Sequence, residues 1–210
     1  MKTILVFSSL VLLSTLVSGQ EDQIETFITE AQGFLSQKEY KQAQLSLQDA
    51  INEINNLVAA QVAETLPDEI NGLKSEGEES SSGGMGMMGG GMQIIKTYRN
   101  ETKAENEAEV QIIANSPMLQ VMSMSLANPA MMGQGYKSVR VGTQRGILKT
   151  EMQDYYDDNG ASKQIRSSEL QIPLNQTLIT FNLRGFASEQ DELGFAGKLG
   201  IDKIMPLLGE

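Results

Sequence analysis

The sequence predicts an α+β protein with an N-terminal helical hairpin, a flexible linker rich in Gly and Met, and an antiparallel sheet with helices on one face. Apolar residues recur every three or four positions over residues 22–66, which is typical of amphipathic helices. Apolar and polar residues alternate beyond Met92, which is typical of strands. The stretch Ser80–Met92, SSSGGMGMMGGGM, separates these two patterns.

The N-terminal residues 1–19 have the composition of a secretory signal. Lys2 supplies a positive charge, Ile4–Leu13 is apolar, and Val17–Gly19 provides the small residues typical of a cleavage site. We therefore expect cleavage before Gln20 and a periplasmic or secreted mature protein. The alternative is an N-terminal membrane anchor, which the short and Ser-interrupted apolar run favours less. After cleavage we do not expect an integral membrane protein.

Composition and charge restrict the function. The chain contains no Cys and no His, so a disulfide framework, a thiol nucleophile and the commonest zinc ligands are excluded. The net charge is −11, and residues 20–79 carry 13 acidic and 3 basic side chains. Because nucleic-acid-binding proteins carry a basic surface, no nucleic acid partner is expected.

Two amphipathic helices are predicted between Asp22 and Leu66. Their apolar positions are Ile24, Phe27, Ile28, Ala31, Phe34 and Leu35, followed by Tyr40, Ala43, Leu47, Ala50, Ile51, Ile54, Leu57 and Val58. The apolar phase is lost over Gln37–Glu39, where we expect the junction between the helices. Pro67 is expected to end the second helix because it has no backbone N–H and restricts the residue before it.

The hairpin resembles a single tetratricopeptide-type repeat. The packing positions that match are Phe27, Ala31, Phe34, Tyr40, Ala43, Leu47 and Ala50. Such repeats bury their faces by stacking on neighbours, and this chain has one copy, so the hairpin is expected to dock elsewhere. The alternatives are packing on its own C-terminal domain, self-association, or a groove for a partner. We select Phe27, Phe34 and Tyr40 as the apolar contact residues.

A linker is predicted over residues 67–91, between the hairpin (20–66) and an α+β domain (92–210). The Gly-rich run has no alternation and loses much backbone entropy when it is ordered, and the charged run Glu76–Glu79 leads into it. We therefore expect a flexible connection between two domains.

The C-terminal domain is predicted to consist of strands with one inserted helix and one final helix. The predicted strands lie around 94–98, 110–114, 136–141, 146–155, 165–174 and 179–184, with tight turns at 142–145 and 157–160. Ser116 and Pro117 are typical of a helix start, and Ser188 with Asp191 predicts a capped helix through Phe195 and Leu199, closed by Gly200.

The overall layout resembles a group of uncharacterised bacterial exported proteins. The segments that support the resemblance are KEYKQA, LPxxIxGLK, the Gly/Met run, ANSPML, ELQIPL and IDKI. The predicted C-terminal domain is also similar to a PsbP-like sandwich. The resemblance implies export and an α+β fold, and it implies no activity, catalytic residue or cofactor.

Methionine supplies one candidate site. Met85, Met87, Met88 and Met92 lie close together in the predicted linker, and thioethers are soft ligands that suit Cu(I). A second set of methionines, Met118, Met122, Met124, Met131 and Met132, surrounds the inserted helix. The alternative is that Met is a flexible apolar side chain that a Gly-rich segment tolerates.

Basic residues on alternating strand positions supply a second candidate. Arg140, Lys149, Arg166 and Arg184 predict a positive sheet face, toward which the acidic hairpin would be steered. A mixed, solvated sheet face is the alternative.

From these features we expect a non-catalytic exported protein of the bacterial envelope, without a cofactor, that works as a protein-interaction or ligand-binding module. The expected partner is a protein or an envelope component. The alternatives are a Met-rich protein that handles Cu(I) and a small-molecule-binding domain.

Overall fold

The computed structural model describes residues 6–82, 91–116, 119, 135–157 and 160–210. The chain begins with two long helices, continues through antiparallel strands and ends in short helices, which confirms the predicted α+β fold. It divides into two compact units, Met1–Val58 and Ala59–Glu210. The division therefore falls inside the second helix, upstream of the boundary expected at residue 66.

The two N-terminal helices are α1 (Val6–Ser36) and α2 (Tyr40–Thr65), and their junction lies where it was predicted. Lys38 adopts a left-handed conformation with φ of 61°. The amide of Glu39 donates to the Phe34 carbonyl at 2.9 Å. This bond closes α1 with a Schellman motif, in which Lys38 takes the position usually held by Gly.

The described strands form one eight-stranded antiparallel sheet. They are β1 (Glu69–Ile70), β2 (Leu73–Ser82), β3 (Met92–Arg99), β4 (Glu107–Ala114), β5 (Tyr136–Val141), β6 (Gln144–Tyr156), β7 (Ser162–Pro173) and β8 (Thr177–Arg184). Their spatial order is β1-β2-β3-β4-β8-β7-β6-β5. The chain then forms α3 (Glu189–Gly197), α4 (Ile201–Ile204) and a 3-10 turn (Met205–Leu208).

One face of the sheet carries the main apolar core, and on the other face Leu119, Ile147 and Leu178 form a smaller buried cluster. Strand register places buried residues side by side across the central strands: Ile94, Ile112, Ile179 and Ile172 in one row, and Val110, Phe181, Leu170 and Leu148 in another. The α3 helix covers this face, and its Phe195 ring meets Tyr98 edge-on at 5.5 Å between centroids. In β8, Phe181 and Leu183 are buried while Asn182 and Arg184 are exposed, as the alternation predicted, but Thr180, which was predicted on the polar face, is buried.

The C-terminal end of α2 is fixed on the same unit by two polar side chains of β3. Lys96, which is only 1% exposed, donates from Nζ to the Leu66 carbonyl at 3.2 Å. The Tyr98 hydroxyl donates to the Pro67 carbonyl at 2.9 Å. Carbonyls that have no partner within a helix are thereby satisfied, which explains why a lysine occupies a core position.

Local turn and cap predictions are confirmed. A two-residue loop joins Val141 to Gln144, and the turn at Asp157 is closed by the amide of Ala161, which donates to the Asp157 side chain at 2.9 Å. The Ser188 side chain caps α3 by accepting from the Asp191 amide at 3.2 Å. The helix ends at Gly197, slightly before the predicted end at Leu199, and a left-handed Gly200 then starts α4.

About half of the segment expected to be a linker is part of the sheet. Residues 69–70 and 73–82 form β1 and β2, and β2 pairs with β3 from Lys74↔Arg99 to Ser82↔Met92. The run 83–91 therefore lies in the sequence between two paired strands of one sheet and not between two domains. The β2 strand shows no alternation because it lies near the sheet edge, where charged residues and a register shift between Ser75 and Glu78 are common protective features. The helix predicted after Ser116 lies outside the described residues.

Candidate functional site

Near the turn of the hairpin the buried residues are small. They are Ala31 on α1 and Ala43, Ser46 and Ala50 on α2, which we term the seam; farther along α2, Asn55, Ala59, Val62 and Ala63 are also buried. A short turn makes α1 and α2 antiparallel. Counted from this turn, the half-buried Phe34 and Phe27 lie opposite Ala43 and Ala50, so that large side chains of one helix face small ones of the other.

Large apolar side chains of the same hairpin are exposed. Their exposed fractions are 39% for Ile28, 48% for Leu35, 66% for Tyr40, 45% for Leu47, 50% for Ile51 and 44% for Ile54. We term these six residues the apolar hairpin face. Completing the burial of each aliphatic member would gain about 1 kcal/mol. An exposed set of this size is typical of an interaction surface.

Helix geometry places the apolar hairpin face on one side of the seam. Leu35 follows the seam residue Ala31 by four positions, and Leu47 follows Ala43 in the same way. A step of four residues rotates the side chain in the same sense on each helix. In an antiparallel pair this rotation brings both stripes to the same side, so α1 and α2 contribute to one surface.

The predicted contact residues are only partly in this surface. Tyr40 belongs to it, whereas Phe27 and Phe34 flank the seam on the other side and are half-buried. A sequence signal for this surface was present, because Ile28 and Leu35 are seven residues apart and so are Tyr40, Leu47 and Ile54. This spacing did not reveal that Ala and Ser would occupy the buried positions between the helices.

Three of the four predicted basic residues share a sheet face. Lys149 of β6 pairs in register with Tyr136 of β5. Arg140 lies four residues after Tyr136 on β5 and therefore points to the same face. Lys149 also pairs with Glu169, which pairs with Asn182, two residues from Arg184. Arg140, Lys149 and Arg184 therefore project from the face opposite the core. Arg166 lies on the core face. Its register partner Met152 is four residues from the buried Leu148 on β6, so both point to the core side.

The shared face has mixed charge. Glu107 is the register partner of Arg184, and Lys149 forms an ion pair with Glu151. The hydrogen bond from Lys149 to Glu151 raises the pKa of the lysine. A shallow depression of about 300 Å³ on this face is lined by acidic, basic and amide side chains, among them Lys149, Glu169, Asn182 and Arg184. The arrangement thus matches the alternative of a mixed polar face more closely than a positive patch.

Arg166 instead belongs to a buried polar network under α3. Its guanidinium donates to both carboxylate oxygens of Glu192, at 2.7 and 3.0 Å, and the Glu192 side chain is fully buried. Ser168 donates to the same carboxylate at 2.6 Å, and Arg166 reaches Thr150 at 3.0 Å. The hydrogen bond with Glu192 raises the pKa of Arg166. Because each group has a partner, the network anchors α3 to β6 and β7.

The predicted copper ligands are divided between core and undescribed segments. Met92 begins β3 and is 1% exposed, so its thioether packs in the core. Met85, Met87 and Met88 lie outside the described residues. Within the part of the chain that the structure describes, His, Cys, Asp and Glu form no group of three or more that could hold a metal ion.

Comparisons with protein-family models, with curated proteins and with solved structures gave no match. Among the described residues, no helix combines the length and apolar character needed to cross a membrane.

Proposed function

We propose that the protein is a non-catalytic, exported protein of the bacterial envelope that works as a protein-interaction module through the apolar hairpin face. The observation that carries this proposal is the exposure of six large apolar side chains on one side of the buried seam of a helical pair. Helical pairs with such a face bind other helices or apolar surfaces through residues spaced by three, four and seven. The signal-like residues 1–19 support export.

The proposal is tested by site-specific photo-crosslinking in cells that express the whole protein. A benzoylphenylalanine is placed at the position of Ile51, within the face, or at the position of Asp49. Residues two positions apart on an α-helix point in directions that differ by about 200°, so Asp49 points away from the face that contains Ile51. We expect a discrete intermolecular adduct from position 51 and none from position 49. Intramolecular products alone from position 51 would contradict the proposal.

A Cu(I)-handling protein is the second candidate, and the sheet topology favours it. Ser82 pairs with Met92, and Met92 pairs with Ala114. The run 83–90 and the start of the run 117–134, which together hold eight methionines, are therefore attached at the same end of the sheet, although the second run enters β5 at Tyr136, nearer the other end. Cu(I) titration against a competing chelator tests this candidate. Replacing Met85, Met87 and Met88 by Leu should abolish binding, whereas Met92→Leu should not.

A further inference from the structure

We infer that the apolar hairpin face binds a second copy of this chain, so that two hairpins pack face to face in a four-helix arrangement. This inference rests on the proposed function and names the partner of the same surface. A dimer of this kind is isologous, because each copy offers the same patch to the other. The patch must therefore be complementary to itself in shape and in charge.

The spacing of the face fits helices as the partner. Ile28 and Leu35 are seven residues apart on α1, and Tyr40, Leu47 and Ile54 are seven apart on α2. Apolar residues repeated every seven positions form the seam along which helices pack side by side. A second copy supplies two helices with the same repeat.

The charges of the hairpin also fit a second copy. Residues three or four positions away from Leu47, Ile51 and Ile54 are their neighbours on the helix surface. These neighbours are all uncharged: Ala43, Gln44, Gln48, Ala50, Asn55, Leu57 and Val58. The acidic Glu30, Asp49 and Glu53 point to other sides of their helices. On α2, two acidic hairpins can therefore meet through this face without bringing like charges together, whereas on α1 the acidic Glu25 lies three residues before Ile28.

The size of the face suits a weak dimer. The six side chains expose an apolar area on the order of 500 Å² per copy, at the upper end of what monomers usually expose. Two such patches with their polar borders give an interface near the lower limit of specific complexes, roughly 1,200 Å² in total. We therefore expect a reversible dimer with a Kd in the range of about 1–100 µM.

The test is sedimentation equilibrium of the purified protein over about 1–300 µM, comparing Leu47→Gln with Leu45→Gln. Leu45 is the matched control because it is 55% exposed on the same helix but points away from the face. Both changes put a helix-compatible polar residue at an exposed site, and far-UV circular dichroism verifies the helix content. We expect a monomer–dimer equilibrium in which Leu47→Gln raises Kd at least about 10-fold, since each change is made twice per dimer. Leu45→Gln should leave Kd within about 2-fold.

A native protein that stays monomeric throughout, or equal effects of the two substitutions, would overturn the inference. The proposed function fails separately, when position 51 gives no intermolecular photo-adduct. An adduct with a different protein, combined with a monomeric native chain, would retain the function and reject the second copy.

Discussion

At the scale of single residues, Gly185 shows how closely the backbone of β8 approaches the β3–β4 turn. Its φ is +69°, and a Cβ at this position would lie 2.3 Å from the Glu105 carbonyl oxygen. Glycine is required here for two reasons, the left-handed conformation and the close contact. Gly142 shares the first reason only, because its φ is +59° but a Cβ there would meet nothing within 4 Å.

We predict that Gly185→Ala lowers the free energy of unfolding by at least about 3 kcal/mol, whereas Gly142→Ala lowers it by about 1 kcal/mol. The left-handed conformation accounts for the shared part, and the contact with Glu105 accounts for the difference. Urea denaturation of both variants measures this. Equal losses of free energy in the two variants would show that the β3–β4 turn moves away from the added methyl group at position 185 without an energetic cost.

Glu105 makes the stability of the fold depend on pH. Its carboxylate accepts a hydrogen bond from Lys163 on β7 at 2.6 Å, and this bond is the main cause of its lowered pKa. A carboxyl whose pKa is lower in the folded than in the unfolded protein stabilises the fold above the unfolded pKa, about 4.3. This stabilisation is lost as the pH falls through the lower folded value.

We predict that Glu105→Gln reduces the urea midpoint at pH 7 and that its difference from the native protein shrinks as the pH is lowered toward about 2.5. Lys163→Met should behave in the same way, because it removes the donor that lowers the pKa. A difference that is constant between pH 7 and pH 2.5 would contradict this role of the pair.

At the scale of elements, the attachment of α3 depends on the Arg166–Glu192 pair. Arg166→Met leaves a fully buried carboxylate without its charged partner, and we expect a loss of about 3 kcal/mol in the free energy of unfolding. The double variant Arg166→Met with Glu192→Leu should lose less than the single one, because no buried charge remains. The exposed pair Lys74–Glu101 is the control, and Lys74→Met should change stability little. A double variant less stable than Arg166→Met would contradict this account.

Elements with local signals were predictable from the sequence. The alternation in β8, the cap at Ser188 and the turn at Asp157 each depend on a few adjacent residues. The β2 strand was not predictable because a strand near the sheet edge has no buried face that imposes alternation. Arg166 was assigned to the wrong face because the side that a residue takes depends on strand register, and a shift by one residue reverses it.

The hairpin was predictable as two helices but not as a surface. The same apolar repeat is compatible with Phe27 and Phe34 outside or with Ile28 and Leu35 outside. The seam of Ala and Ser decides between these arrangements, because small residues let the helices approach closely and leave the larger side chains at the borders.

At the scale of the whole molecule, the Gly/Met run joins adjacent strands of one sheet. The segment 83–91 connects β2 to β3, which are paired from Lys74 to Ser82. The sheet therefore extends upstream through β2 and β1 to the end of α2, where Lys96 and Tyr98 hold the chain. The unit Met1–Val58, which carries the apolar hairpin face, precedes this assembly.

The most direct test of the central claim, that a second copy covers the apolar hairpin face, is the rate at which single cysteines react with a thiol reagent. The chain has no Cys, so Ile51→Cys and Asp49→Cys each introduce a unique thiol on opposite sides of α2. We predict that Cys at position 51 reacts more slowly as the protein concentration rises from about 1 to 300 µM, while Cys at position 49 reacts at a constant rate. Protection of position 51 that does not depend on concentration, or equally fast reaction of both thiols at every concentration, would contradict the claim.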